Sequence, residues 1–150
     1  MTSARDPHRT SAKLGEVFLT RRAHFSASHR LHEEQLSDAE NREIFGICNN
    51  ANGHGHNYVI DVTVVGEVDE RTGMVMNLRD LKRVIEREIL DECDHKHLNL
   101  DVPWLQGVNP TAENLAIAFF QRLAPHVAPA RLHCVRLLES QDNRVEYFGP

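Results

Sequence analysis

Apolar positions alternate with polar ones along four stretches of the chain and recur at helical spacing along two others. In Val17–His29, Phe25, Ala27 and His29 share one parity, so a strand there puts all three on one face. Asn57–Val68 (NYVIDVTVVGEV) is β-branched, with Tyr58, Ile60, Val62 and Val64 alternating against Val59, Asp61, Thr63 and Val65. It predicts a second strand, followed by a turn over Asp69–Gly73. Leu78, Leu81, Val84, Ile85 and Ile89 then predict a helix with one apolar stripe, capped by Asn77 and ending near Asp91. Asp80 complements its N-terminus. A second helix is predicted from Asn109-Pro110, with Asn as cap and Pro at the first helical position. It buries Leu115, Phe119 and Leu123 and stops at Pro125. Arg131–Glu139 and Arg144–Phe148 read as two last strands joined by the polar turn SQDN. The charge-dense stretch HEEQLSDAENREI reads as a solvated loop or a short surface helix.

The predicted order is strand, strand, helix, helix, strand, strand. That order implies an α+β domain, with two helices covering one face of a four-stranded antiparallel sheet. A sheet of four strands leaves exposed edges, and edges invite pairing with further subunits. The length of 150 residues suits one domain over residues 15–150, after a polar, disordered tail at 1–14.

Composition narrows the function. Acidic residues outnumber basic ones by 22 to 17, for a net charge of -5. That balance argues against a general nucleic-acid binder. It leaves room for a small anionic ligand held by a local basic cluster. No apolar run approaches the ~18 residues of a membrane span, and the N-terminus shows no signal-peptide core. Cys48, Cys93 and Cys134 are odd in number and lack framework spacing, so they are expected as reduced thiols in a cytoplasmic protein.

The candidate chemistry centres on CNNANGHGHNY, residues 48–58. In an extended segment, residues two apart project to one side, so His54 and His56 can aim two imidazoles at one spot. The other reading of the pair is two hydrogen-bonded histidines. If the first two strands pair antiparallel, His29 ends up facing both. Three imidazoles suit zinc and leave a coordination position open. Cys48 is then either the fourth ligand of a closed structural site or a thiolate acting beside an open metal. Asp94-His95 forms either a carboxylate–imidazole relay or a pair that satisfies the end of the preceding helix. Glu139 is a solvated strand end or a carboxylate that recognises an amide-like edge through two parallel hydrogen bonds.

Taken together, FSASHRL, CNNANGHGHNY, GMVMNLRDLK, CDHKHLNLD, PTAEN and ESQDNRVEYFG resemble the 6-pyruvoyltetrahydropterin synthase family. They occur in that family's order from about Val17 to Gly149. The resemblance implies the tunnelling fold, in which subunits join edge to edge into a trimeric barrel and two trimers stack as a homohexamer. Active sites then lie between subunits. It assigns His29, His54 and His56 to zinc, Cys48 to the catalytic thiol, and Asp94 with His95 to a proton relay. Glu139 becomes the pterin anchor, with Thr111 and Glu113 lining the pterin pocket. Some positions depart from the family pattern. Ala51 replaces a proline, Cys93 a leucine, His97 an asparagine, Ala112 a second threonine and Gln141 an aspartate.

The implied reaction converts 7,8-dihydroneopterin triphosphate to 6-pyruvoyltetrahydropterin and releases triphosphate, a lyase reaction without an external redox cofactor. The triphosphate needs cations, for which Arg30, Lys82 and Lys96 are candidates, with magnesium as a companion ion. The alternative within the superfamily is 6-carboxytetrahydropterin synthase, which shares the substrate. There the cysteine and the His-x-His are typically separated by three residues, against five here. PTAEN also resembles that branch. A third branch carries glutamate at the cysteine position, which Cys48 argues against. A non-catalytic pterin-binding scaffold is the remaining reading.

Overall fold

A computed structural model describes residues 15–150; the tail expected at 1–14 lies outside them. Strand β1 (Glu16–His29) and strand β2 (His54–Glu67) pair antiparallel over their whole length, from Glu16 opposite Glu67 to His29 opposite His54. Strand β2 therefore starts at His54, earlier than the apolar alternation marks it. Strand β4 (Arg131–Leu138) pairs with β2, with a bulge where the register shifts between Thr63 and Val64, and β5 (Arg144–Tyr147) pairs with β4.

The sheet has five strands, not four, in the order β3-β1-β2-β4-β5. The extra strand, β3 (Lys96–His97), runs parallel beside Ala27 and Ser28 of β1. Two residues carry no readable period, so only the tertiary pairing reveals it. The sheet is mixed for that reason.

One face of the sheet is apolar. Phe25 and Ala27 of β1, Tyr58, Ile60, Val62 and Val64 of β2, and Val135 and Leu137 of β4 are all buried on it. Helix α2 (Leu78–Ile85) is capped as expected, the Asn77 side chain accepting the Arg79 N–H. It continues through a π-helical turn (Glu86–Leu90) into α3 (Asp91–Cys93). Leu81, Ile85, Ile89 and Cys93 follow at four-residue steps and are fully buried. Four-residue steps overshoot the 3.6-residue turn, and the wider π turn takes up that drift.

The second long helix begins later than expected. Helix α4 (Ala112–Leu123) is capped by Thr111, whose Oγ1 accepts the Asn114 N–H at 3.2 Å. Asn109 is not the cap and Pro110 is not the first helical residue. The Asn109 carbonyl instead accepts the Thr111 N–H at 2.8 Å, and its side chain accepts the His32 N–H at 3.2 Å. The charge-dense stretch contains a true helix, α1 (Asp38–Phe45), closed by a capping box between Ser37 and Glu40. The Ser-x-x-Glu signature of that box is present in the sequence.

The opposite face of the sheet is polar. Asp61 sits there with its side chain 8% exposed, gripped by Arg22 Nε at 2.7 Å and Nη2 at 2.8 Å. Arg136 stands 3.9 Å away and pairs with Glu146. Hydrogen bonds from Arg22 hold the Asp61 carboxyl below its ordinary value of 3.8. A depressed carboxylate contributes stability that is present above the unfolded pKa and lost as pH falls through the folded one. Asp61→Asn is therefore expected to lower the urea midpoint at neutral pH and to flatten its decline below about pH 4. Denaturation curves of both proteins across pH 2–7 check this, and parallel acid declines would refute it.

Candidate metal centre

The register of β1 and β2 builds the site. It sets the last residue of β1, His29, directly opposite the first residue of β2, His54, and the side-chain period of two brings His56 to the same face. The ring centroids lie 4.7 Å (His29–His54), 5.0 Å (His29–His56) and 4.7 Å (His54–His56) apart. The rings stand at steep angles to one another, and one donor atom from each lies within 4.8 Å of the others.

Hydrogen bonding fixes which nitrogen of His29 is free. Nδ1 lies 2.8 Å from the Pro110 carbonyl and 3.3 Å from the Tyr58 hydroxyl. A carbonyl only accepts, so Nδ1 carries the proton and Nε2 presents its lone pair to the cluster. Nε2 of His54 stands 3.1 Å from it. His56 Nε2 and His54 Nδ1 are buried without a hydrogen-bond partner. The orphaned His56 Nε2 is what a metal ion would satisfy, and the three rings offer one donor each within 4.8 Å, so the donor set fits one.

Burial favours the neutral form of His29 and His56. It pushes His29 down to about 4, and it also lowers His56, against the opposing pull of Glu139. Neutral imidazole is the metal-binding form.

The other predicted residues divide. Glu139, just beyond β4, reaches the cluster, with Oε1 3.4 Å from His29 Nε2 and 3.5 Å from His56 Nε2. Cys48 is half-buried in a 3₁₀ turn (Gly46–Asn49), and its carbonyl accepts the Leu31 N–H at 2.8 Å. Its thiol is outside the group of converging donors among the described residues. Asp94 and His95 form the expected pair, Oδ2 to Nδ1 at 3.0 Å, and Asp94 Oδ1 accepts the Ser26 N–H at 2.9 Å. That backbone N–H, then His95, holds the Asp94 carboxyl low. The His95 side chain is 83% exposed and its backbone is left-handed, with φ of 60°, so the Asp94–His95 pair faces solvent while His29 is buried.

Thr111 is engaged as the α4 cap, and Glu113 is exposed in the first turn of that helix. Of the cations considered for phosphate, Lys82 pairs with Glu86 on α2 at 3.6 Å, and Arg30 Nε donates to the Asn49 carbonyl at 3.0 Å. Lys96 lines a polar trough of about 500 Å³ with His95, His97, Ser26 and Asn57.

Sequence reasoning missed three contributors. Tyr58 stands out in the sequence only as a member of the β2 alternation, yet its hydroxyl lies 3.3 Å from His29 Nδ1. The Pro110 carbonyl has no side-chain signature at all. Gly53 packs where a Cβ would come within 2.8 Å of the His29 carbonyl oxygen and 2.9 Å of His97 Nε2, at φ +74°. That glycine directly precedes the His-x-His motif, and its position was the available signal.

A cluster of three imidazoles, one buried and two half-buried, at the open end of a helix-backed sheet marks the class of α+β proteins with a metal-competent centre. The family model for 6-pyruvoyl tetrahydropterin synthase matches residues 18–150, and the chain belongs to that family. It is 49% identical over 131 residues to the Homo sapiens protein named 6-pyruvoyl tetrahydrobiopterin synthase, covering 87% of this chain and 90% of that one. Identity to the Drosophila melanogaster protein of the same name is 48% over 135 residues, covering 89% and 80%. The structure of Caenorhabditis elegans 6-pyruvoyl tetrahydropterin synthase superposes with a TM-score of 0.87 at 44% identity, covering 93% of this chain and 99% of that one. No helix among the described residues is long and apolar enough to cross a membrane.

Two outcomes test the site. Gly53→Ala is expected to destabilise the fold by more than ~1 kcal/mol, because its Cβ meets backbone at a left-handed φ; an unchanged melting temperature would refute the packing. In chelator-treated protein, the unfolded chain protonates His29 before the folded one does. Stability is therefore expected to fall as pH drops from 6.5 towards about 4. A urea midpoint that stays level over that window would contradict the buried neutral imidazole.

Proposed function

We propose that the protein is a zinc-dependent 6-pyruvoyltetrahydropterin synthase. It converts 7,8-dihydroneopterin triphosphate to 6-pyruvoyltetrahydropterin and releases triphosphate. The observation that carries this reading is the three-histidine cluster, with the free lone pair of His29 turned inward, in a chain of this family. His29, His54 and His56 would hold the metal, which would supply a Lewis acid for the side-chain oxygens of the substrate.

The chain's own residues do the rest. Cys48, as thiolate, takes a proton from the substrate side chain. His95, oriented by Asp94, moves protons as the side chain tautomerises and the triphosphate leaves. Glu139 fixes the pterin through its amino and ring N–H groups, and Thr111 and Glu113 line the ring's pocket. Lys96, in the polar trough beside His95, is the cation placed best for the triphosphate, with magnesium as a companion ion. The hydroxyl-bearing carbons are oxidised as the ring is reduced, so no outside oxidant enters.

The exposure of His95 supports an active site shared between subunits, in which the relay of one chain serves the buried metal of another. The short edge strands β3 and β5 support edge-to-edge assembly into a barrel and a homohexamer. The reduced cysteines suit a cytoplasmic setting. Residues 15–150 act as one catalytic domain.

Incubation with 7,8-dihydroneopterin triphosphate, followed by mass spectrometry of products, is expected to give a pyruvoyl pterin and intact triphosphate. A carboxy pterin with acetaldehyde would assign the chain to the 6-carboxytetrahydropterin branch instead. No turnover with zinc bound would leave a pterin-binding scaffold. Cys48→Ala is expected to keep stoichiometric zinc and lose about 10²- to 10⁴-fold in kcat. His54→Ala is expected to lose both zinc and turnover, and metal analysis of the two variants separates the roles.

A further inference from the structure

We propose that metal uptake moves the proton of His54 from one ring nitrogen to the other, and that His97 is the positioning residue that meets the outer nitrogen in both states. The inference rests on the reading of the three histidines as a metal centre. It adds a fourth imidazole that serves the centre from outside.

The placing of protons in the cluster carries the argument. His29 donates Nδ1–H to the Pro110 carbonyl at 2.8 Å, so in the neutral ring Nε2 is a bare acceptor. His54 Nε2 lies 3.1 Å from it. Two lone pairs do not face each other at that distance. With no ion bound, neutral His54 therefore carries its proton on Nε2 and leaves Nδ1 bare. An ion held at Nε2 requires the opposite form, because a metal-bound ring nitrogen carries no proton. Uptake thus turns His54 Nδ1 from an acceptor into a donor, and the charge of the ring does not change.

That outer nitrogen needs a partner able to follow the change. It is buried and has no hydrogen-bond partner. A metal-bound imidazole ordinarily donates its outer N–H to a neighbour. Among the described residues, the other buried side-chain polar atoms without a partner are His56 Nε2, His97 Nδ1 and Trp104 Nε1. His56 belongs to the metal cluster, and an indole nitrogen only donates. His97 Nδ1 remains. An imidazole nitrogen donates in one tautomer and accepts in the other, which matches the alternation at His54.

The backbone brings this ring to the entrance of β2. Strand β3 sets His97 beside Ser28, one residue before His29. The His97 N–H donates to Asp101 Oδ2 at 2.8 Å, and its carbonyl accepts the Asp101 N–H at 2.8 Å. From that fixed root the ring reaches Gly53, the residue bonded to His54. A Cβ on Gly53 would stand 2.9 Å from His97 Nε2, so the bare glycine lets the imidazole close in. The protons balance. His54 gives up Nε2–H and gains Nδ1–H, while His97 gives up Nδ1–H and gains Nε2–H.

The test follows histidine ring nitrogens by NMR in nitrogen-15-labelled protein as zinc is added, with His54 and His97 assigned from the signals lost in His54→Ala and His97→Leu. His54 is expected to pass from the Nε2–H to the Nδ1–H form. A wild type that binds zinc with the His54 form unchanged overturns the switch and leaves the metal reading standing. A wild type that takes up no zinc removes the metal reading and the switch with it. Chelator competition then compares zinc affinity in wild type, His97→Leu and His97→Asn. Leucine fills the space without a polar atom. It is expected to leave the melting temperature of the zinc-free protein level or higher, yet to weaken zinc about 10-fold. Asparagine can both donate and accept, so it is expected to recover most of that affinity. A Leu variant that binds zinc as wild type does, or an Asn variant no better than Leu, overturns the role of His97.

Discussion

The structure depends on one register. Strands β1 and β2 pair without a break over fourteen residues each, and the pairing ends with His29 opposite His54. Because side chains alternate faces, a slip of one residue would turn every β1 side chain to the other side. Phe25 would leave its stack on Tyr58, at 4.9 Å between centroids, and His29 would leave the cluster. The core and the metal centre are thus specified by the same alignment. The buried apolar pairs further along the ladder enforce the geometry at its end. Polar pairs on the other face, Arg22 with Asp61 and Thr20 with Thr63, reinforce the same alignment.

The second constraint comes from the start of α4. The Pro110 carbonyl is buried against His29 and sets its tautomer. The next residue, Thr111, caps the helix. A helix beginning at Pro110 would change the backbone that aims this carbonyl. The late start follows from the site's demand on the backbone. Local cap preference alone favours Asn109, and the tertiary hydrogen bond outweighs it.

Much of this was legible in the sequence, for identifiable reasons. The His29, His54 and His56 cluster follows from strand parity and antiparallel pairing, both readable from alternation. The stripe of Leu81, Val84, Ile85 and Ile89 and the Asn77 cap were equally plain. Strand β3 escaped because two residues show no period, and the start of α4 escaped because two plausible caps stand two residues apart. The first helix is ambiguous between loop and helix in the sequence because its charge density masks the Ser37–Glu40 box. The position of the Cys48 thiol outside the converging donors depends on loop geometry, which spacing does not encode. Tyr58 and the Pro110 carbonyl were invisible as site groups, one because it looks like core and the other because it is backbone.

Under the proposed function, environment divides the histidine side chain between two jobs. In His29 and in His95 alike, Nδ1 meets an oxygen: a backbone carbonyl in the first, the Asp94 carboxylate in the second. Either contact leaves Nε2 as the working nitrogen. Burial then separates them. His29 is buried against the Pro110 carbonyl and held neutral, so its lone pair is available to a metal and closed to protons over the physiological range. His95 is open to solvent, its Nδ1 3.0 Å from the Asp94 carboxylate. A metal ligand must not titrate, and a proton carrier must reach its donor and acceptor. Placing the first inside the sheet–helix sandwich and the second on an exposed left-handed turn meets both requirements with the same residue type.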